Sequence, residues 1–186
     1  LAANKNSKRS GQDTAHAPCL SDDPCQCCNW PAIVSPDTKR TVPSLRIVKS
    51  TKMSSKDIKF IRMTHLKGPN IWTYRPVLEA WIDIGDLEDF PSNTLPGFNE
   101  RLQNMLPGLI EHRCSVGQRG GFLQRLTEGT WPGHIMEHVA LELQNRAGMQ
   151  TGFGKAREAG PRGIYKVVIR TRNETVSRAA LQAARD

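Results

Sequence analysis

Residues 134–138 read His-Ile-Met-Glu-His, the H-x-x-E-H order of the inverted zincins. On a helix, side chains four residues apart stack on one face, so His134 and His138 can turn both imidazoles toward one ion. Glu137 falls on the neighbouring edge of that face. There its carboxylate is the candidate catalytic base for a metal-bound water, which zinc would bring toward a pKa of ~7. The plainer alternative is a pair of helical histidines that hydrogen-bond their surroundings. A third ligand is not specified nearby. Glu142 lies eight residues beyond His134, ~12 Å along a helix axis, too far to share the ion. Glu158, Glu174 and Glu100 remain, and Glu158 is preferred as the third metal ligand.

A second group of residues suits the gripping of a charged chain. Arg119, Arg125, Lys155, Arg157 and Arg162 border glycine-rich turns, with Phe122 and Phe153 close in sequence. Glycine lets a backbone approach a ligand, and the arginine fork holds a carboxylate through two bonds. The competing reading is a set of solvated loop charges.

The net charge of +8 fits a polyanionic or acidic partner. Residues 1–52 hold eight Lys/Arg against four Asp/Glu, and the remainder 18 against 14, so each part carries +4. No run of 18 apolar residues exists, so no transmembrane helix and no membrane partner is expected. The polar start, Leu1 to Gln12, lacks an apolar signal core, and the expected location is cytoplasmic. The phosphate-loop, dinucleotide and serine-elbow signatures are all missing.

The elements that must place these side chains are readable from periodicity. Residues 1–52 are proline-rich, polar and aperiodic, which predicts a disordered leader or an upstream extension, with Met53 a natural start. Cys19, Cys25, Cys27 and Cys28 in that stretch lack two spaced ligand pairs, and Cys114 reads as a lone buried thiol. Order is expected over 53–186. Ile58 to Ile61 is β-compatible, and Lys67 to Asn70 is a turn. Val77 to Gly85 alternates as a half-buried strand, with Leu78, Ala80, Ile82 and Ile84 inward. Phe98, Leu102, Met105, Leu106 and Leu109 form a helical stripe broken at Pro107. Phe122 to Leu126 is a short helix. Pro132 to Ala147 is the clearest helix, with Thr130 as N-cap, Gly148 as C-cap and a buried stripe of Ile135, Val139, Leu143 and Ala147. That stripe points away from the histidines. Gly152 to Gly163 reads as a loop, Ile164 to Arg170 as a strand, and 175–184 as a last helix. The pattern predicts an α+β fold, a small mixed sheet with three to four helices.

Several segments in order resemble one family. They are Gly68-Pro69-Asn70-Ile71-Trp72, Leu95-Pro96-Gly97-Phe98, Leu106-Pro107-Gly108-Leu109-Ile110-Glu111-His112, the block from Gly133 to Gln144, and Gly152 to Glu158 followed by Pro161 to Tyr165. Together they resemble the amino-terminal domain of the cyanophycin synthetase family across about residues 56–180. The resemblance implies a three-part enzyme in which an ATP-grasp domain adds aspartate and a Mur-ligase-like domain adds arginine to a storage polymer. ATP and magnesium belong to those two ligase domains, which lie beyond the resemblance and are the implied partners of this one. The resemblance also implies that the first domain holds cyanophycin, the aspartate–arginine polymer, through charged patches. In some members it implies a metal-dependent cut of that polymer into primers, for which His134, Glu137 and His138 match. Three readings follow: a polymer-binding module, a zinc-dependent endopeptidase, and a basic nucleic-acid-binding domain. No helix-turn-helix, RRM or zinc-finger pattern supports the last.

Overall fold

The computed structural model describes residues 58–186. The expected leader, its four cysteines and Met53 lie outside the described residues. Four strands form one sheet in the order β1-β2-β4-β3: β1 Lys59–Leu66, β2 Val77–Asp83, β3 Gly154–Glu158 and β4 Ile164–Arg170. Every pairing is antiparallel, so the α+β class holds, but the sheet is not mixed. The long connection from β2 to β3 carries the helices α1 Phe98–Met105, α2 Gly121–Glu128 and α3 Pro132–Arg146. The helix α4, Glu174–Arg185, follows β4.

The inward set read for β2 is borne out, with Leu78, Ala80, Ile82 and the following Ile84 fully buried, but the strand is more than half-buried, since Val77 and Glu79 are covered too. The inward four meet Tyr165, Val167 and Ile169 of β4 and Met136, Ala140 and Leu141 of α3 in one core. A second core lies on the other side of α3. Leu102, Leu106, Leu109, Phe122 and Leu126 gather there around Val139 and Cys114. The helical stripe of residues 98–109 does break at Pro107, which opens a 3-10 turn over Pro107–Glu111.

The single buried stripe expected of α3 is not found, because the helix is clasped between both cores. Its burial therefore runs nearly all round, from Met136 through Glu142 and again at Gln144. Of the stripe expected inside, only Val139 is buried. Ile135 and Leu143 are half-buried, and Ala147 is exposed. The N-cap position belongs to Trp131, with no side-chain cap, and the Thr130 hydroxyl lies 2.8 Å from His134 Nδ1 instead. Gly148 does close the helix, at φ +80°.

The expected loop 152–163 contains strand β3. Its sequence, Gly-Lys-Ala-Arg-Glu, has no β-branched residue, so propensity gave no signal. It is a short edge strand whose charges face water, a form that discourages pairing with other chains. Gly154 is required there. A Cβ at that position would stand 2.6 Å from Glu137 Oε1.

Candidate functional site

Among the described residues, two places bring the side chains discussed above together with others that can do chemistry. The first surrounds the start of α3. His134 Nε2 and His138 Nε2 are 3.1 Å apart, and Cys114 Sγ is 3.3 Å from His134 Nε2. The three ligand atoms lie within 4.8 Å of one another. A thiolate and two imidazoles are a donor set that suits zinc, and the separations suit one tetrahedral ion. Cys114 arrives from the 3-10 turn Cys114–Val116 with φ 51°, a left-handed conformation uncommon outside glycine. Phe122 of α2 closes the group, stacking on His138 with centroids 4.1 Å apart and meeting His134 edge-on at 5.7 Å. His138 is therefore an interior group, and His134 is half-buried. His138 is 2% exposed, contrary to the expectation that they stand clear of the core.

Burial sets the electrostatics here. Loss of water drives His138 down to about 3, against the pull of Cys114. Burial also lowers His134, but the Cys114 sulfur and the Glu137 carboxylate raise it more, and it ends above its ordinary value. Glu137 is fully buried, and burial lifts it to about 8. Neither of its oxygens has a hydrogen-bond partner. It points toward Gly154 under the sheet, so no histidine nitrogen lies within hydrogen-bonding reach of it.

Glu158, expected as the third ligand, is at the exposed end of β3, 3.5 Å from the Tyr165 hydroxyl. Cys114 takes the place beside the histidines instead. It was legible only as a lone thiol, because it is 20 residues from His134 and only the fold joins them. His112 was likewise missed, and Glu142, set aside as too far to share the ion, stands behind it. His112 Nδ1 is 2.9 Å from His138 Nδ1, and His112 Nε2 is 3.3 Å from Glu142 Oε2.

The second place is the sheet face opposite α3. Cross-strand register sets Arg62 of β1, Trp81 of β2, Lys166 of β4 and Arg157 of β3 in one row across all four strands. Lys166 Nζ lies 4.3 Å from the Trp81 ring centroid, and the Arg62 guanidinium lies 5.2 Å from it. The Arg157 guanidinium covers Trp72 at 5.7 Å. Both indole N–H groups donate to Glu79, at 2.9 and 3.0 Å, and Arg62 Nη2 lies 3.9 Å from the same carboxylate. The loop bearing Trp72 is held by Asn70, which accepts from Trp72 and Thr73 and donates to Arg75 O.

The five cations singled out in the sequence divide between these surroundings. Lys155 and Arg157 belong to β3, with Lys155 Nζ 5.8 Å from the Phe153 centroid. The other three have carboxylate partners outside the row: Arg119 with Glu111 at 2.7 Å, Arg125 with Glu128 at 3.3 Å, and Arg162 with Asp89. Arg62, Lys166 and the two tryptophans were not singled out, since register alone brings them beside Arg157.

Among the described residues no helix is long and apolar enough to cross a membrane. Residues 79–186 match the family described as the cyanophycin synthase-like N-terminal domain. The chain is 49% identical over 129 residues to a cyanophycin synthetase of Synechocystis sp.. It is 48% identical over 129 residues to those of Crocosphaera subtropica and Nostoc sp.. Each alignment covers 68% of this chain but only 14–15% of the relative, so the chain spans about one-seventh of the proteins it matches. A family match over more than half the chain, joined to relatives near half identity, places this protein among the cyanophycin synthase-like N-terminal domains.

Proposed function

We propose that this domain binds cyanophycin on the open face of its sheet and holds it for ligase domains that act on it. The observation that carries this reading is the row Arg62–Trp81–Lys166–Arg157, where three cations and an aromatic platform span the sheet. Carboxylates of an aspartate-based chain suit arginine forks and a lysine point charge. In this reading ATP and magnesium serve those ligase domains and not this one.

The test is retention of soluble cyanophycin by the full chain in affinity electrophoresis. Replacing Arg62, Arg157 and Lys166 together by alanine is expected to weaken binding at least tenfold. Parent binding should fall as salt rises, because exposed charge pairs are screened within about 10 Å at 0.1 M. Arg119→Ala, whose parent residue faces Glu111 away from the sheet, should stay within about twofold. Wild-type retention by the triple variant would refute the assignment.

The Cys114–His134–His138 cluster favours a second reading, a bound zinc ion. In that reading zinc holds the α2–α3 junction together, and in a hydrolytic member of the family it would supply a Lewis acid. Glu137 would need to leave its place beneath Gly154 to serve as a base, so polymer binding is the primary reading. Elemental analysis of the purified chain should give one zinc per molecule, and Cys114→Ser should reduce that occupancy at least fivefold. An unchanged zinc content in Cys114→Ser would remove the cysteine from the ligand set. If polymer shortening is present, it should be lost in Glu137→Gln while zinc content stays unchanged.

A further inference from the structure

Five hydrogen-bonding contacts link the helical half of the molecule into one chain. Glu142 Oε2 meets His112 Nε2 at 3.3 Å, and His112 Nδ1 meets His138 Nδ1 at 2.9 Å. His138 Nε2 then faces His134 Nε2 at 3.1 Å, and His134 reaches Cys114 Sγ at 3.3 Å and Thr130 Oγ1 at 2.8 Å. The direction of this chain can be worked out from its one acceptor-only end. An ionised carboxylate cannot donate, so His112 Nε2 carries the proton that Glu142 accepts. A neutral His112 then has a bare Nδ1, which must accept. His138 must therefore donate from Nδ1, leaving Nε2 bare. The bare nitrogen is the one aimed at His134 and Cys114. Thr130, which can donate or accept, imposes no such choice on His134.

We propose that Glu142 and His112 are positioning residues that hold His138 as the Nδ1–H tautomer, its Nε2 lone pair presented beside Cys114 and His134 to a zinc ion. This rests on the zinc reading above. A carboxylate held behind a ligand histidine fixes both ring orientation and tautomer and raises the basicity of the ligand. Here the carboxylate acts at one remove, through a second imidazole. Glu142 is 7% exposed and stands eight residues along α3 from His134, out of reach of the ion itself. The space for its carboxylate comes from Gly108, where an added Cβ would overlap the Glu142 oxygens. His112 and Gly108 belong to one stretch, the 3-10 turn Pro107–Glu111 and the residue after it, so that turn both makes room for the carboxylate and supplies the relay.

Zinc affinity of the metal-free full chain, measured by competition with a chromophoric chelator, tests this. Glu142→Gln keeps the size of the side chain but can donate as well as accept, so His112 is no longer directed. Its zinc affinity is expected to fall ten- to a hundredfold, and that of His112→Ala by a similar factor. Thermal unfolding of metal-free Glu142→Gln guards against a merely structural loss, and a folded variant with parent-like Tm is expected. A long-range nitrogen–proton NMR correlation on metal-free protein should show His138 protonated at Nδ1 in the parent and a mixture of tautomers in Glu142→Gln. If the parent takes zinc and Glu142→Gln takes it equally well, the positioning role is wrong while the zinc reading stands. A parent His138 protonated at Nε2 would also overturn it. If the parent takes no zinc, both fall.

Discussion

In metal-free buffer, Glu137→Gln should lose the decline in stability that the parent shows between about pH 5 and pH 8. The carboxyl group is enclosed by α3 and β3, touches the backbone at Gly154 and has no hydrogen-bond donor. Burial raises it from 4.5 to about 8. The folded state therefore holds the proton more tightly than the unfolded chain does. Stability from this group is fully present below pH ~4.5 and is lost as pH rises through about 8. A shift of this size corresponds to roughly 3–5 kcal/mol between the two ends of the window. Glutamine mimics the protonated acid and does not titrate. Urea unfolding at pH 5 and pH 9 should then find the variant close to the parent at pH 5 and several kcal/mol more stable at pH 9. His138, held at about 3 by burial, acts in the opposite range, destabilising the fold as pH falls below 6.5. The difference between variant and parent isolates Glu137, and parallel pH curves for the two proteins would show that its carboxyl is not held neutral.

The second large effect belongs to Phe122→Ala. The ring is fully buried, stacks on His138, meets His134 edge-on and joins the core of Leu102, Leu109 and Leu126. Truncating a buried phenylalanine costs about 3–5 kcal/mol, and the cavity here would open against two imidazoles. At this domain size that is a fall in Tm of about 10–20 °C. Phe122→Leu should retain most of the stability, since it keeps the apolar volume but not the stacking. Calorimetric scans of both variants check this. An alanine variant melting within about 3 °C of the parent would mean that the ring is not a keystone of this half of the fold.

The fold was legible where periodicity reflects a single buried face. The inward set of β2, the break at Pro107 and the β4 run all follow from local pattern and are present in the structure. Helix α3 was legible in extent but not in facing, because a helix clasped by two cores has no polar side to contrast with its apolar one. Strand β3 was hidden because it has no β-branched residue, and Gly154 is small for the sake of the Glu137 carboxyl under it. For the candidate site, H-x-x-E-H located the two histidines and nothing beyond. The companions Cys114, His112 and Glu142 come from separate turns of chain or act through an intermediary, and no spacing rule in one dimension records that. Likewise, the partners of Arg157 depended on strand order, which places β3 beside β4 and β4 beside β2.

In the proposed polymer-binding role the cation row is also a ruler. It crosses three strand-to-strand spacings, about 14 Å at 4.7–4.9 Å each. An extended peptide backbone covers that span in about four residues. A chain of two aspartates laid along the row would touch Arg62 or Arg157 but not both, whereas one of five or more reaches from edge to edge. Oligomer length, not only charge, should therefore set the grip of this surface, with a steep gain near the fourth backbone unit and little added beyond it.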